Sequence, residues 1–172
     1  MTAKIILCTF LLSSWSFDQL NEKEILKLLD GDKVKSDPEN GDGTYLVRNK
    51  KSKKWGMFQW LGSDTPPEIL IPMKYDSIRF FPWNGKFTAV FTADKVGIYL
   101  SKWSYYEEAK QTIPCLYNDY QRFTFNNITY LAMLKNTGWG WVDWLTGEEK
   151  TPFQYSSSED LPHPNWIQKQ FY

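Results

Sequence analysis

The chain has 172 residues, enough for one domain that buries a substantial core without a stabilising metal or disulfide. Twenty basic residues balance twenty acidic ones, and this zero net charge excludes a function led by long-range attraction to nucleic acid or anionic membrane. Aromatic residues make up 17% of the chain, and because their side chains favour strands, the composition indicates a β protein.

Residues 1–16, MTAKIILCTFLLSSWS, combine a basic start at Lys4 with an apolar run and with small residues at Ser14 and Ser16. This pattern is typical of a secretory signal peptide, whose cleavage would place the protein in the periplasm or outside the cell. The alternative is a cytoplasmic chain in which residues 5–12 form a buried first strand. The run is shorter than the roughly 20 residues of a membrane-spanning helix, so no membrane span is predicted.

Residues 17–43 are predicted to form a short helix and a polar linker. Asn21 is the expected N-cap of the helix, and Gly31 is the expected stop. The linker covers residues 30–43, DGDKVKSDPENGDG, which are rich in turn formers. The apolar stripe of the helix, which must pack on another element, consists of Leu20, Ile25, Leu28 and Leu29.

A repeat with a period near 42 residues organises residues 44–172. KKWGMFQW, EILIPMKYDSIRFF and GKFTAVF are followed by DKVGIYLS, QTIPCLYNDYQRF and NNITYLAML, and TGWGWVDW begins a shortened third copy. Spacings of 41 and 43 separate the glycines Gly56, Gly97 and Gly140, and spacings of 42 and 38 separate the prolines Pro72, Pro114 and Pro152. Such a period predicts supersecondary units that bury their apolar faces against one another.

Each unit is predicted to consist of antiparallel strands, with Asn126 and Asn127 at the tip of one hairpin. In the third copy, alternation places Trp139 and Trp141 on one face of a strand. The opposite face carries Gly140, Val142 and Trp144. Both faces are apolar, so we expect a second layer, a curled sheet or the N-terminal helix to cover the strands and enclose one dry interior.

The glycine and the proline of each copy have separate predicted roles. Without a Cβ, the glycine leaves a notch into which a ring from a neighbouring strand can settle. The proline has no N–H to donate, so it should begin a strand or lie on an edge strand. The three tryptophans of TGWGWVDW are therefore interpreted as packing residues.

KWGMF, ILIPMKYDSI, and VGIY with TIPCLY resemble bacterial WG repeats, in which Trp-Gly precedes an apolar-Pro pair and Tyr-Asp. The resemblance covers residues 44 to about 155, with Val96 in place of Trp and Asn118 in place of Asp in the second copy. It implies an all-β repeat domain of about three units, often found in exported or surface-associated proteins, and it brings no catalytic residues.

The sequence offers little for catalysis, so no enzyme activity, cofactor or metal site is predicted. His163 is the only histidine, and we expect it in an exposed loop, with Cys115 as a buried structural residue. Asp76 and Asp143 recur at positions of the repeat pattern, and both are expected to bond local backbone near turns. Paired carboxylates lie in polar connections, where charges are usually solvated: Glu107 with Glu108, Glu148 with Glu149, and Glu159 with Asp160.

Two surfaces are candidates for binding. The basic cluster comprises Arg48, Lys50, Lys51, Lys53 and Lys54, with Trp55 at its border. It is interpreted as a hairpin tip kept soluble by lysines, or alternatively as a site for an acidic partner or phosphates. The second surface comprises loop aromatics expected to reach solvent, namely Trp83, Trp103, Tyr105 and Tyr106.

These surfaces favour a non-enzymatic module that mediates protein–protein interaction, with a carbohydrate-binding module as the alternative. Exposed rings in a flat row would stack on sugars, whereas a broad mixed patch would contact protein. No nucleic-acid partner is predicted.

Overall fold

The computed structural model describes residues 22–36, 43–60, 65–79, 87–100 and 110–166. The residues of the candidate signal peptide lie outside these ranges. Within them, one short helix precedes eleven strands, so the predicted all-β fold with an N-terminal helix is confirmed. The elements are α1 (Glu22–Leu28), β1 (Gly31–Ser36), β2 (Thr44–Asn49), β3 (Trp55–Gln59), β4 (Glu68–Tyr75), β5 (Ser77–Arg79), β6 (Phe87–Thr92), β7 (Lys95–Leu100), β8 (Lys110–Tyr117), β9 (Asp119–Phe125), β10 (Ile128–Lys135) and β11 (Gly138–Val142).

The strands form three antiparallel sheets in which consecutive strands pair. Sheet A has the order β1-β2-β3-β4, sheet B the order β5-β6-β7-β8, and sheet C the order β11-β10-β9. In sheet C the segment 149–155 replaces a fourth strand with two isolated bridges, Trp139 to Tyr155 and Val142 to Glu149. Each sheet is therefore one copy of a four-stranded unit, and the third copy has a reduced last strand.

Single residues join the sheets: Asp76 lies between β4 and β5, and Asn118 lies between β8 and β9. Both residues directly follow the repeated tyrosine. A sequence repeat that starts at the glycine-containing third strand of one sheet therefore ends in the second strand of the next sheet. A strand that leaves one sheet and enters the next at such a corner connects two layers without a loop.

The two corner residues make equivalent hydrogen bonds. Oδ2 of Asp76 accepts the backbone N–H of Ala93 at 2.9 Å, and Oδ1 of Asn118 accepts the backbone N–H of Asn136 at 3.1 Å. Ala93 and Asn136 are turn residues of the following hairpins, with φ of +49° and +57°. The prediction that Asp76 bonds local backbone is wrong, because Ala93 lies 17 residues further along the chain. Asn118 supplies the equivalent acceptor for the next hairpin turn. The same prediction for Asp143 is confirmed, since its Oδ1 accepts the backbone N–H of Leu145 at 2.8 Å.

The hairpin predicted at Asn126 and Asn127 is also present. These residues join β9 to β10 with φ of +50° and +62°, the left-handed conformation that a two-residue hairpin turn of this kind needs. Asparagine tolerates this conformation better than other residues that carry a side chain.

The N-terminal region differs from its prediction in two respects. Residues 31–36, assigned to the polar linker, form β1 and pair with β2, and Asp30 rather than Gly31 takes the left-handed turn, with φ of +47°. The polar sequence GDKVKS can form a strand because β1 is the edge strand of sheet A, where polar side chains can stay in solvent and mainly Val34 packs against the core. In α1, Ile25 is buried as predicted, but Leu28 is 52% exposed and Leu26 packs inward.

Four apolar layers alternate with the sheets. The first, between α1 and sheet A, contains Ile25, Val47 and Phe58. The second, between sheets A and B, contains Leu46, Met57, Leu70, Ile71, Tyr75, Val90 and Tyr99. The third, between sheets B and C, is built around Ile98, Ile113, Leu131, Met133 and Trp144, and the fourth, on the outer face of sheet C, around Tyr130, Ala132, Trp141 and Leu161. Every sheet is covered on both faces as predicted, but the interior is divided into four clusters rather than one.

The tryptophans of TGWGWVDW are packing residues with the predicted face assignment. Trp139 and Trp141 belong to the outer layer of sheet C, whereas Val142 and Trp144 face sheet B. Trp141 is 1% exposed and Trp144 is 3% exposed. Each buried indole N–H donates to a carbonyl oxygen, that of Pro162 at 2.8 Å for Trp141 and that of Thr129 at 3.2 Å for Trp144.

In the first two copies the space beside the repeated glycine is occupied by the backbone of the neighbouring strand. The prediction that an aromatic ring occupies it is therefore wrong for these copies. A Cβ on Gly97 would lie 2.4 Å from the carbonyl oxygen of Ile113, and one on Gly56 would lie 2.8 Å from that of Ile71. The cause is a bulge in the last strand of each sheet, which brings its backbone toward the glycine. In the third copy the predicted ring is present, because the ring of Phe153 lies 3.1 Å from the corresponding position.

The prolines occupy these bulges. Pro114 lies between Ile113 and Tyr117, the β8 residues that pair with Ile98 and Val96 of β7. Pro72 lies at the equivalent place in β4. Both strands are sheet edges, as predicted, so the missing proline N–H leaves no ladder partner unsatisfied.

Candidate functional site

The basic cluster lies in the β2–β3 hairpin, as predicted. Oδ1 of Asn49 shapes its loop by accepting the backbone N–H groups of Lys51 at 3.0 Å and Ser52 at 2.8 Å. Lys53 completes the turn with φ of +60°. Lys50 and Lys51 are exposed at the tip, so their charges face solvent.

The remaining cations of the cluster pair with carboxylates. Asp32, displaced onto this face by a register shift in β1, contacts Nε of Arg48 at 2.7 Å and Nζ of Lys53 at 2.5 Å. Hydrogen bonds from Arg48 and then Lys53 hold the pKa of the Asp32 carboxyl far below its ordinary value. Lys54 instead reaches the corner residue Asp76 at 2.5 Å.

The structure extends this cluster with two lysines that the sequence analysis missed. In the register of sheet A, Lys33 lies opposite Arg48, and Lys35 lies opposite Leu46. Nζ of Lys35 lies 5.2 Å from the ring centroid of Trp55, and the Arg48 guanidinium lies 5.9 Å from it, so the half-buried indole is flanked by two cations. We call this surface the basic face and define it as Lys33, Lys35, Arg48, Lys50, Lys51, Lys53 and Trp55.

Positive charge is concentrated on the basic face although the chain as a whole is neutral. Its six cations stand against the two nearby carboxylates of Asp30 and Asp32, a local excess of four positive charges. The opposite end of the stack is acidic, since residues 143–160 contain five acidic residues and one lysine. An uneven distribution of this kind orients charged partners without requiring a net charge.

The loop aromatics Trp83, Trp103, Tyr105 and Tyr106 lie outside the described residues, so their predicted exposure stays a prediction. Among the residues whose side chains are described, every aromatic ring is buried or half-buried. The described rings pack in clusters, as where Trp141 meets Phe123 edge-on at 5.2 Å and Tyr130 at 6.2 Å between centroids.

Cys115 and His163, the candidate nucleophile and base considered in the sequence, are separated by two layers. Cys115 packs between sheets A and B, where burial raises the pKa of its thiol and disfavours the thiolate. The exposed His163 lies against Phe125 beyond sheet C, with ring centroids 4.6 Å apart and the ring planes tilted by 52°. A nucleophile and its base must lie within hydrogen-bond distance, so Cys115 and His163 cannot form such a pair.

The described carboxylate pairs have structural partners. Glu149 accepts Nζ of Lys135 at 2.8 Å and the Tyr117 hydroxyl at 2.9 Å, and these contacts, Lys135 first, lower its pKa. Hydrogen bonds also lower the pKa of Glu159 and Asp160. A general acid needs a raised pKa, so these groups have the opposite shift.

Within the described ranges, no three His, Cys, Asp or Glu residues converge to hold a metal ion. Among those residues, no helix has the length and apolar character needed to cross a membrane.

The chain matches no family model, no curated protein and no solved structure.

Proposed function

We propose that this chain is a non-catalytic WG-repeat module that binds another protein through its basic face. The observation that carries the proposal is a surface of six cations at the edge of a sheet in a neutral chain, where Lys35 and Arg48 flank the half-buried Trp55. Tryptophan and arginine are enriched where protein interfaces derive most of their binding free energy.

Kinship with WG repeats is supported by the internal equivalence of the copies. The glycine-containing third strand of each sheet, the proline bulge beside it and the corner acceptor recur in the first two sheets, with Val96 replacing the tryptophan in the second. An exported location, periplasmic or extracellular, is part of the proposal and derives from the pattern of residues 1–16. N-terminal sequencing of the protein from its native host tests it, and a mature chain that still begins at Met1 would refute it.

Matched variants and affinity capture test the binding surface. Bait proteins would be the wild type, Lys50→Gln/Lys51→Gln, and the control Lys27→Gln/Lys110→Gln, which removes the same charge from exposed positions outside the basic face. We expect a specific partner to be retained by the wild type and the control but lost from the Lys50/Lys51 variant. Equal retention by all three baits would reject the basic face.

A further inference from the structure

β1 has one edge that is unpaired among the described residues. It hydrogen-bonds to β2 in sheet A, and no described strand lies on its other side. Alternate backbone N–H and C=O groups of residues 31–36 therefore point away from the sheet, which is the arrangement that accepts an added strand.

The side chains on this edge have a regular charge spacing. Lys33 and Lys35 are both exposed and stand two residues apart on the same face of β1. Residues two apart in a strand are separated by about 6.7 Å. An extended chain with acidic residues at alternate positions has the same spacing, so its carboxylates would lie opposite the two lysines.

From the unpaired edge and this spacing we infer that the basic face binds an acidic segment of a partner protein, which adds to β1 as an extended strand. The inference rests on the proposed function and specifies the partner's chemistry. Alternate side chains of the added strand would face Lys33 and Lys35, and its backbone would continue the ladder of sheet A. The half-buried Trp55 borders the same face and supplies apolar contact.

A second copy of this chain fits the edge poorly. Antiparallel pairing of two β1 strands would bring lysines against lysines, and like charges directly opposed destabilise a sheet. Carboxylates at the acidic end of the stack already have internal partners: Glu148 pairs with Lys150, and Glu149 pairs with Lys135. The edge lysines thus oppose self-association while favouring an acidic strand.

A nucleic acid is also a poorer fit than a peptide. The carboxylate of Asp32 lies among the cations of the basic face, and its lowered pKa keeps it ionised at neutral pH. A phosphate backbone crossing the face would meet this negative charge, whereas a peptide can place an uncharged residue there.

The test measures fluorescence anisotropy of labelled peptides of about ten residues, the length range of natural strands. One peptide has Asp at alternate positions between Val and Thr residues, and a second has the same composition with its Asp residues adjacent. We expect the alternating peptide to bind the full-length wild type about tenfold more tightly than Lys33→Gln/Lys35→Gln. The charge-retaining Lys33→Arg/Lys35→Arg and the control Lys27→Gln/Lys110→Gln should bind like the wild type. Hydrogen exchange should show new protection of β1 amides in the complex.

Several outcomes would overturn the inference. Equal binding of both peptides without protection of β1 would indicate attraction by charge alone. Tighter binding of a single-stranded oligonucleotide would assign the face to nucleic acid, and wild-type dimerisation lost in Lys33→Gln/Lys35→Gln would assign it to a second copy. If neither peptide binds while a captured partner still depends on Lys50 and Lys51, the strand inference fails and the proposed function stands.

Discussion

Replacing Gly97 with alanine tests the bulge that joins β7 to β8. The new Cβ would lie 2.4 Å from the Ile113 carbonyl oxygen, 2.8 Å from the Pro114 carbonyl carbon and 2.9 Å from the Cys115 amide nitrogen. All three are backbone atoms of one bulge, so relief requires movement of β8 itself. Gly97 does not have a left-handed φ, and the cost therefore arises from contact rather than backbone strain.

The expected cost follows from overpacking. Forcing an extra methyl into a packed site typically costs 1–3 kcal/mol, and contact with backbone places this site at the upper end, about 3 kcal/mol. Restriction of the unfolded chain by alanine returns about 0.5 kcal/mol. The net loss of about 2.5 kcal/mol corresponds to a Tm decrease of roughly 5–10 °C for a chain of this size.

Gly140 provides the matched control. Its Cβ would meet only the ring of Phe153 at 3.1–3.2 Å, and a side chain can move where backbone cannot. We expect Gly140→Ala to cost about 1 kcal/mol or less. Urea unfolding followed by tryptophan fluorescence and circular dichroism measures both variants. A Gly97→Ala protein as stable as the wild type, or more stable than Gly140→Ala, would refute the reasoning.

Three further outcomes are expected. The carboxylate of Asp32 has a lowered pKa, so its contribution to the unfolding free energy is complete above about pH 4 and is lost as the pH falls further. Asp32→Asn should therefore flatten the acid part of a plot of urea midpoint against pH, and an unchanged slope would contradict this. Cys115, whose thiol pKa is raised by burial, should react with iodoacetamide at pH 8 far more slowly in native than in urea-unfolded protein, and equal rates would contradict its placement. Ala93→Gly should stabilise the protein by about 0.5 kcal/mol in urea unfolding, because alanine is strained at φ of +49°. The control Ala89→Gly in buried β6 should destabilise it, and a destabilising Ala93→Gly would contradict the turn geometry.

The repeated core could be predicted from the sequence because its signals are local. Alternation alone assigned Trp141 and Trp144 to opposite faces, and the two asparagines at 126–127 marked a hairpin that the structure contains. Rules of this kind depend only on strand geometry and turn conformation, so they hold without knowledge of the tertiary contacts.

The missed features depend on contacts between distant segments. β1 is too polar to register as a strand, and it forms because β2 offers a partner and α1 covers Val34. The bulge opposite Gly97 was not visible, since a glycine–proline spacing does not distinguish a ring in a notch from a backbone approach.

The candidate site was predicted only in part for the same reason. Residues 48–54 stand out as a basic run, but Lys33 and Lys35 join them only through the β1–β2 register. Asp32, which neutralises part of that charge, comes from the same strand. Strand pairing determines which charges share a surface. The run of residues 48–54 alone therefore does not reveal the two additional lysines or the carboxylate of Asp32.

The central claim, that the three sheets stack face to face, is tested most directly by nuclear Overhauser contacts between aromatic rings of neighbouring layers. Tyr75 of sheet A and Tyr99 of sheet B meet edge-on, with ring centroids 6.3 Å apart. Tyr117 of sheet B and Phe153 of the third copy lie 5.6 Å apart. The stacked arrangement predicts cross-peaks between the ring protons of both pairs in protein with selectively labelled Tyr and Phe. Cross-peaks confined to residues of the same sheet, with the Tyr75 ring in contact with water, would contradict it.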